Sequence, residues 1–385
     1  MGPAVRLVAL RVLVVVIALL VSDFLAGWLY RTFNGESFYY QVIAPDRGLN
    51  RRYRTASALY HHDLHPNAAA PAVWGLGYFV YTNSLGFRDR EVREVPLDSG
   101  RERILLIGDS FTEGVRIDFE ETFAGLLAEA LGARGIDVLN AGVSSYSPTI
   151  YERKVRYLID DVRLHFSRLV VLLDISDIED EAKDYARDAD GNVRHQRRGG
   201  SQVVENFKGW LRGYSILYGV PRLFEKDPPP RSPDAPNASV GNPRARWTVD
   251  DGLYESWGRR GLRAAAESMD RLAALLRAHG IPLTLVVYPW PTQIDDGNLE
   301  SRQVVFWREW SREHGAQFVD LFPAFITDDP EENQRAIEDL FIRHDFHWNE
   351  AGHRRVAEEL MSALIPQGRD LRADRRGGPD RRPGP

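Results

Sequence analysis

The chain has 385 residues and a formal net charge of −6, with 43% hydrophobic and 27% charged residues. This composition excludes wholesale disorder and collagen-like repeats, and the acidic balance offers no global basic field for nucleic acid. There are no cysteines, which excludes disulfides, thiolate nucleophiles, Cys-rich zinc sites and iron–sulfur clusters.

Val12 to Tyr30 is apolar apart from Ser22 and Asp23, and Arg11 and Arg31 flank it. As a helix this stretch reaches roughly 28 Å, close to the hydrocarbon thickness of a bilayer. Asp23 opposes insertion, because a carboxylate near mid-helix costs about 2.5–3.5 kcal/mol on insertion scales. The neighbouring Val, Leu and Ile residues offset that cost, and Trp28 and Tyr30 suit an interface. Residues 1–31 therefore read as an uncleaved signal anchor; a cleaved signal peptide and a buried core helix are the alternatives. The anchor reading places the chain in a bacterial inner membrane as a single-pass protein, with its body periplasmic or extracellular.

Residues 32–100 mix aromatics, prolines and charges without a clear period, and are expected to form a juxtamembrane arm packed onto the main domain. An α/β rhythm follows. The spacing predicts strands over Arg103–Ile107, Ile136–Asn140 and Arg168–Leu173, with helices over Glu120–Ala133 and Thr149–Leu158. Residues 181–250 break the pattern and read as an insertion. Within it, Phe207–Phe224 is a predicted helix with Trp210, Tyr214, Leu217 and Tyr218 on one face, suited to a lid or packing helix or to contact with a membrane surface. Pro228–Pro243 is a Pro-rich loop. Helices over Trp257–His279 and Ser301–His314, strands over Leu283–Tyr288 and Gln317–Leu321, and a final helix over Asn349–Leu364 resume the rhythm. The alternation predicts a parallel sheet with helices on both faces across a domain spanning 101–366. Residues 367–385 lack apolar anchors and are expected to be a disordered tail.

The chemistry gathers at strand ends. In Leu106-Ile-Gly-Asp-Ser-Phe-Thr-Glu-Gly114 a strand delivers Ser110 into a Gly-bounded turn, where open α/β sheets expose ligand-binding groups. A serine nucleophile needs a base, and His344-Asp-Phe-His-Trp-Asn-Glu-Ala-Gly-His353 offers His347 with Asp345 two residues before it. Asn349 reads as a helix cap and His353 as a structural residue within that helix.

These segments resemble the SGNH/GDSL hydrolase family. Gly108-Asp-Ser-Phe-Thr-Glu-Gly114 is similar to its first block, Asn140-Ala-Gly-Val-Ser144 to its second, Leu173-Asp-Ile-Ser-Asp-Ile178 stands at its third, and Asp345-Phe-His347 is similar to its last. The resemblance covers about Arg101 to Leu364 outside the insertion. It implies a three-layer flavodoxin-like fold and a serine esterase with Ser110 as nucleophile, His347 as base and Asp345 as its orienter. The Ser110 and Gly142 amides, with Ser176, would form the oxyanion hole, and no metal or organic cofactor is implied. In two places the chain departs from the family pattern. Ser176 occupies the position of an oxyanion-binding Asn, so Ser176 donates, a nearby group replaces it, or activity is low. The family's Asp commonly precedes His by three residues, a position held here by His344. The Asp-x-His-Trp form also loosely resembles proteins that O-acetylate exopolysaccharides.

The substrate expected from family and location is an O-acyl ester of an envelope glycan. Acyl transfer to a polysaccharide is an alternative, with a membrane-bound O-acyltransferase partner supplying the acyl group; so is a non-catalytic glycan-binding or assembly protein. Asp109, Trp290 and Gln293 are candidate substrate contacts, with Trp290 weighed against plain packing. Tyr60-His-His-Asp-Leu-His65 reads as hydrogen-bonded loop residues, with a cleft contact or a metal site as alternatives.

Overall fold

The computed structural model describes residues 2–72, 78–196, 202–224 and 239–365. The expected disordered tail and most of the Pro-rich loop lie outside these residues. Helix α1 (Pro3–Asn34) is long and apolar enough to cross a membrane, and its most apolar window is wholly unburied. That exposure removes the buried-core alternative.

The arm starts with α2 (Pro45–Tyr53) and the antiparallel hairpin of β1 (Arg54–Ser57) and β2 (His61–Leu64). It then does more than pack on the domain. β3 (Ala69–Pro71), β4 (Phe79–Thr82) and β5 (Arg88–Asp89) extend the main sheet, pairing antiparallel through Arg88 opposite Asn140. These strands are too short for an alternating pattern, so the sequence shows no period there.

The centre of the sheet consists of five parallel strands: β6 (Arg103–Ile107), β7 (Asp137–Asn140), β8 (Arg168–Leu173), β11 (Leu283–Val287) and β12 (Gln317–Asp320). A separate small hairpin joins β9 (Tyr185–Arg187) to β10 (Val193–His195). The full order is β12-β11-β8-β6-β7-β5-β4-β3. Among the parallel strands this is the flavodoxin-like order, which reverses between β6 and β8 and opens a crevice at their carboxyl ends. β6, β8 and β11 are apolar runs because both of their faces are covered, and Leu105, Leu172 and Leu285 are fully buried.

The helices are α3 (Ser110–Glu113), α4 (Phe123–Gly132), α5 (Pro148–Asp160), α6 (Asp177–Lys183), α7 (Gln202–Tyr214), α8 (Asp251–Leu253), α9 (Arg259–Ala278), α10 (Pro291–Asp296), α11 (Arg302–His314), α12 (Pro330–Leu340) and α13 (Glu350–Leu364). α5 and α6 pack on α9, and α4 packs on α13. Helix α7 ends earlier than its periodicity predicts, because the amides of Ile216 and Leu217 turn to bind Asp23 of α1.

Candidate active site

The first loop is set by close packing. Asp109 caps α3 by accepting the Phe111 amide at 3.0 Å, which places Ser110 at the first position of that short helix. A Cβ on Gly108 would lie 2.1 Å from Thr112 Oγ1, and one on Gly142 would lie 2.5 Å from Thr112 Cγ2. Thr112 thus fills the space between the loops after β6 and β7, and both positions admit only glycine. Asn140 ties the same loops together: its side chain donates to the Thr112 carbonyl at 2.6 Å and accepts the Gly142 amide at 3.0 Å.

The last motif comes to this point from the far end of the chain. His347 Nε2 lies 2.9 Å from Ser110 Oγ, and His347 Nδ1 lies 2.6 Å from Asp345 Oδ1. The residue two positions before His347 makes this contact, while His344, three before it, sits at φ +61°. Arg116 donates to the other oxygen of Asp345 at 2.6 Å. Partial burial pushes the Asp345 carboxyl up, but the hydrogen bonds and charge of His347, with the bond from Arg116, outweigh this and hold it well below the ordinary carboxylate range. Asn349 caps α13 by accepting the amides of Ala351 and Gly352, and His353 is buried in that helix, pushed down to about 3 mainly by burial.

Behind Ser110 lies a second acidic group. Asp109, Asp174 and Asp177 are buried, with one oxygen of each within 4.8 Å of the others. Asp109 Oδ2 is 3.1 Å from Ser110 Oγ. Asp174 accepts the Ser176 amide and the Trp290 indole N–H, each at 2.7 Å. Asp177 accepts the Tyr151 hydroxyl at 2.8 Å and the Asp174 amide at 3.0 Å. Burial first, and then the charges of the neighbouring acids, push Asp109 and Asp177 well above the ordinary carboxylate range. A hard cation would need six or more oxygen ligands, whereas protein donors already occupy most of these oxygens. The set therefore fits shared protons better than a metal ion.

The residues expected to bind the oxyanion are in different states. The Ser110 amide has no protein acceptor among the described residues. The Gly142 amide is engaged by Asn140, and Ser176 is buried at the start of α6 with no bond from its hydroxyl among the described residues. Trp290 and Gln293 are not surface contacts. Trp290 is fully buried, its ring stacked 4.1 Å from Phe346, and Gln293 donates to the Ala245 carbonyl and the Thr248 hydroxyl. Both are corrected from candidate substrate contacts to packing residues. Trp290 braces the loop that carries His347.

Two arginines of the arm, which the sequence reading did not single out, hold the first loop. Arg54 pairs with Glu113 at 2.7 Å, and Glu113 also accepts the Ser144 amide and hydroxyl at 2.7 and 2.8 Å. Burial pushes Glu113 up, but Arg54 and Ser144 pull it below its ordinary value. Arg88, fully buried, donates to the carbonyls of Glu113, Gly114 and Ile117. The Tyr60–His65 segment belongs to this clamp. His62 Nε2 contacts the Ser144 carbonyl at 2.8 Å, and Asp63 pairs with the buried Lys154 at 2.7 Å. No local periodicity announces these partners, which lie tens of residues apart.

Residues 106–355 match the model of the GDSL-like lipase/acylhydrolase family. No curated protein matches the chain. Among solved structures, TesA is similar at 12% identity and TM-score 0.38, over 69% of this chain and 99% of that one. The psychrotrophic esterase EstA from Pseudoalteromonas sp. is similar at 12% identity and TM-score 0.38, over 68% and 96%. A catalytic mutant of the acetylxylan esterase Axe2 from Geobacillus stearothermophilus is similar at 14% identity and TM-score 0.38, over 68% and 94%.

Proposed function

The chain belongs to the GDSL-like lipase/acylhydrolase family, and we propose that Ser110, His347 and Asp345 are the triad with which it cleaves acyl esters. The observation that carries this reading is the continuous chain of contacts, 2.9 Å from Ser110 Oγ to His347 Nε2 and 2.6 Å from His347 Nδ1 to Asp345. It stands beside the crevice between β6 and β8, where open α/β sheets bind ligands. In the proposed reaction Ser110 Oγ attacks the ester carbonyl as its proton passes to His347 Nε2. Ionised Asp345 holds the Nδ1–H and stabilises the imidazolium. The leaving alcohol takes the proton back, and water, deprotonated by the same imidazole, releases the acid. Asp109, the other carboxyl beside Ser110, is pushed well above the ordinary carboxylate range by burial and by the charge of Asp174.

The oxyanion is assigned first to the free Ser110 amide. Gly142 would exchange its Asn140 acceptor for the oxyanion, and Ser176 would add its hydroxyl in place of the family's Asn. We assign α1 as a membrane anchor, with the body periplasmic or extracellular, and the substrate as an O-acyl ester of an envelope glycan. The support for that substrate is location, since an anchor keeps the site among such polymers.

The test is intact-mass analysis of the full chain after a fluorophosphonate probe, beside Ser110→Ala. The expected result is one adduct on the wild type and none on the variant. An adduct that persists in Ser110→Ala, or none on folded wild type, would overturn the triad. Acyl release from an acetylated oligosaccharide, with and without an unacetylated acceptor, then separates hydrolysis from transfer.

A further inference from the structure

Asp23 was the feature of α1 least suited to a bilayer, and its surroundings show how it is accommodated. It is only 8% exposed on a helix that is otherwise largely bare. Its carboxylate accepts the Ser215 hydroxyl at 2.5 Å and the amides of Ile216 and Leu217 at 3.0 and 2.9 Å. An ionisable residue within a span pairs in this way with a neighbouring element. That element is the turn that ends α7, and the contact continues along α1. A Cβ on Gly27 would lie 2.0 Å from the Tyr214 carbonyl, so glycine is needed for the two backbones to approach. Phe24 and Trp210 have ring centroids 4.3 Å apart, and the Arg31 guanidinium lies 5.1 Å from the Tyr214 ring centre.

This docking fixes the depth of α7. It contacts residues 23–31, the end of the apolar stretch nearest the body. Asp23 to Tyr30 covers about 10 Å along the helix axis at 1.5 Å per residue. Interfacial helices sit about 5–10 Å into the boundary between headgroups and acyl chains. The docking nonetheless leaves large apolar side chains uncovered on α7 and the segment after it: Val203 is 75% exposed, Phe207 56% and Phe224 80%, with Trp210, Leu217 and Leu223 also exposed. Val203, Phe207, Trp210 and Tyr214 recur at the spacing of one helical face. Trp210 of this face meets Phe24 of α1, whose own exposed Val and Leu residues have the same chemistry.

We propose that α7 is a second membrane contact, an amphipathic helix docked on α1 through Asp23 and seated in the lipid boundary on the side of the body. The occupant of its apolar face is lipid. The inference rests on reading α1 as a membrane span. With α1 alone, the domain could swivel about one helix; with α7 also in the boundary, the body is held at a fixed tilt and height above the membrane.

The absence of cysteine makes the test direct, because any introduced thiol is unique. Full-length Val203→Cys, Phe207→Cys and Glu338→Cys chains, the last at an exposed site on α12, are reconstituted in phosphatidylethanolamine–phosphatidylglycerol vesicles and floated. The expected result has three parts: all three float; thiols 203 and 207 lose reaction with a membrane-impermeant maleimide; and fluorophores there, but not at 338, are quenched by lipids with a nitroxide near the headgroup. Flotation with 203 and 207 as reactive as 338 overturns the inference and leaves the anchor standing. Failure to float overturns both. Protection in native membranes that vanishes in vesicles of purified chain assigns the face to a protein partner and also overturns it.

Discussion

Ser110 sits between two carboxyl groups of opposite character. On one side Asp345 is partly exposed, bonded to His347 and Arg116, and held ionised. On the other, Asp109 is buried beside Asp174 and Asp177, and burial first and then the charge of Asp174 push it well above the ordinary carboxylate range. Glu113, four residues on in the same loop, is as deeply buried as Asp109 but pairs with Arg54 and stays ionised. Burial pushes Asp345, Asp109 and Glu113 upward; a bonded imidazole or cation brings Asp345 and Glu113 back below their ordinary values, and Asp109 has neither. On the proposed triad, the site favours charge on the carboxyl that bonds the imidazole and disfavours it on the one behind the serine.

The comparison breaks most visibly at Asp345. Asp345→Asn removes the charge and permits the wrong imidazole tautomer, and kcat falls about 10,000-fold with the fold intact, as steady-state kinetics beside circular dichroism would register. A loss below about tenfold would mean that Asp345 does not orient the base. Next in size is the paired acid. Arg54→Met leaves the Glu113 carboxyl buried without its cation, at a cost of about 3–5 kcal/mol by urea unfolding; adding Glu113→Gln recovers most of it. Equal stability of the single and double variants would separate Arg54 from the charge state of Glu113.

The smallest effect belongs to the unpaired acids, and it depends on pH. The folded state raises Asp177, so it binds more protons than the unfolded state above the ordinary value of 3.8. Its contribution to stability is full below that value and is lost as pH rises through the folded titration. Asp177→Asn, a neutral isostere, therefore stays within about 1 kcal/mol of wild type in acid and gains on it as pH rises toward neutrality. Glu113 and Asp345 act in the opposite sense: their contributions are present above ordinary carboxyl values and are lost as pH falls. Thermal melts across pH would show the two slopes, and a difference between Asp177→Asn and wild type that does not change with pH would refute the upward shift of Asp177.

Of the five parallel strands, β6, β8 and β11 were legible as apolar runs closed by turns and β7 and β12 by their place in the α/β alternation, and the pairing of Asp345 with His347 was legible because the two are neighbours in sequence. The arm was not. β5 is two charged residues long, and its Arg88 is buried only because it meets three carbonyls of the first loop. The sequence leaves Trp290 between substrate contact and plain packing, and nothing local indicates that Asp174 and Phe346 enclose it. The partners of Glu113 and Asp23 lie 59 and more than 190 residues away, beyond the reach of any periodicity.

Thr112 has a consequence for how this site can change. Its hydroxyl and methyl abut the places where Gly108 and Gly142 would carry a Cβ, so three positions in two motifs share one small volume. Scanned singly, each glycine would score as intolerant. Combined with Thr112→Gly, Gly142 gains a route to a small side chain, while Gly108 is still blocked by the Leu172 carbonyl at 2.8 Å. Evolutionary drift at the Gly142 loop should therefore travel by paired substitution, with residue 112 moving first.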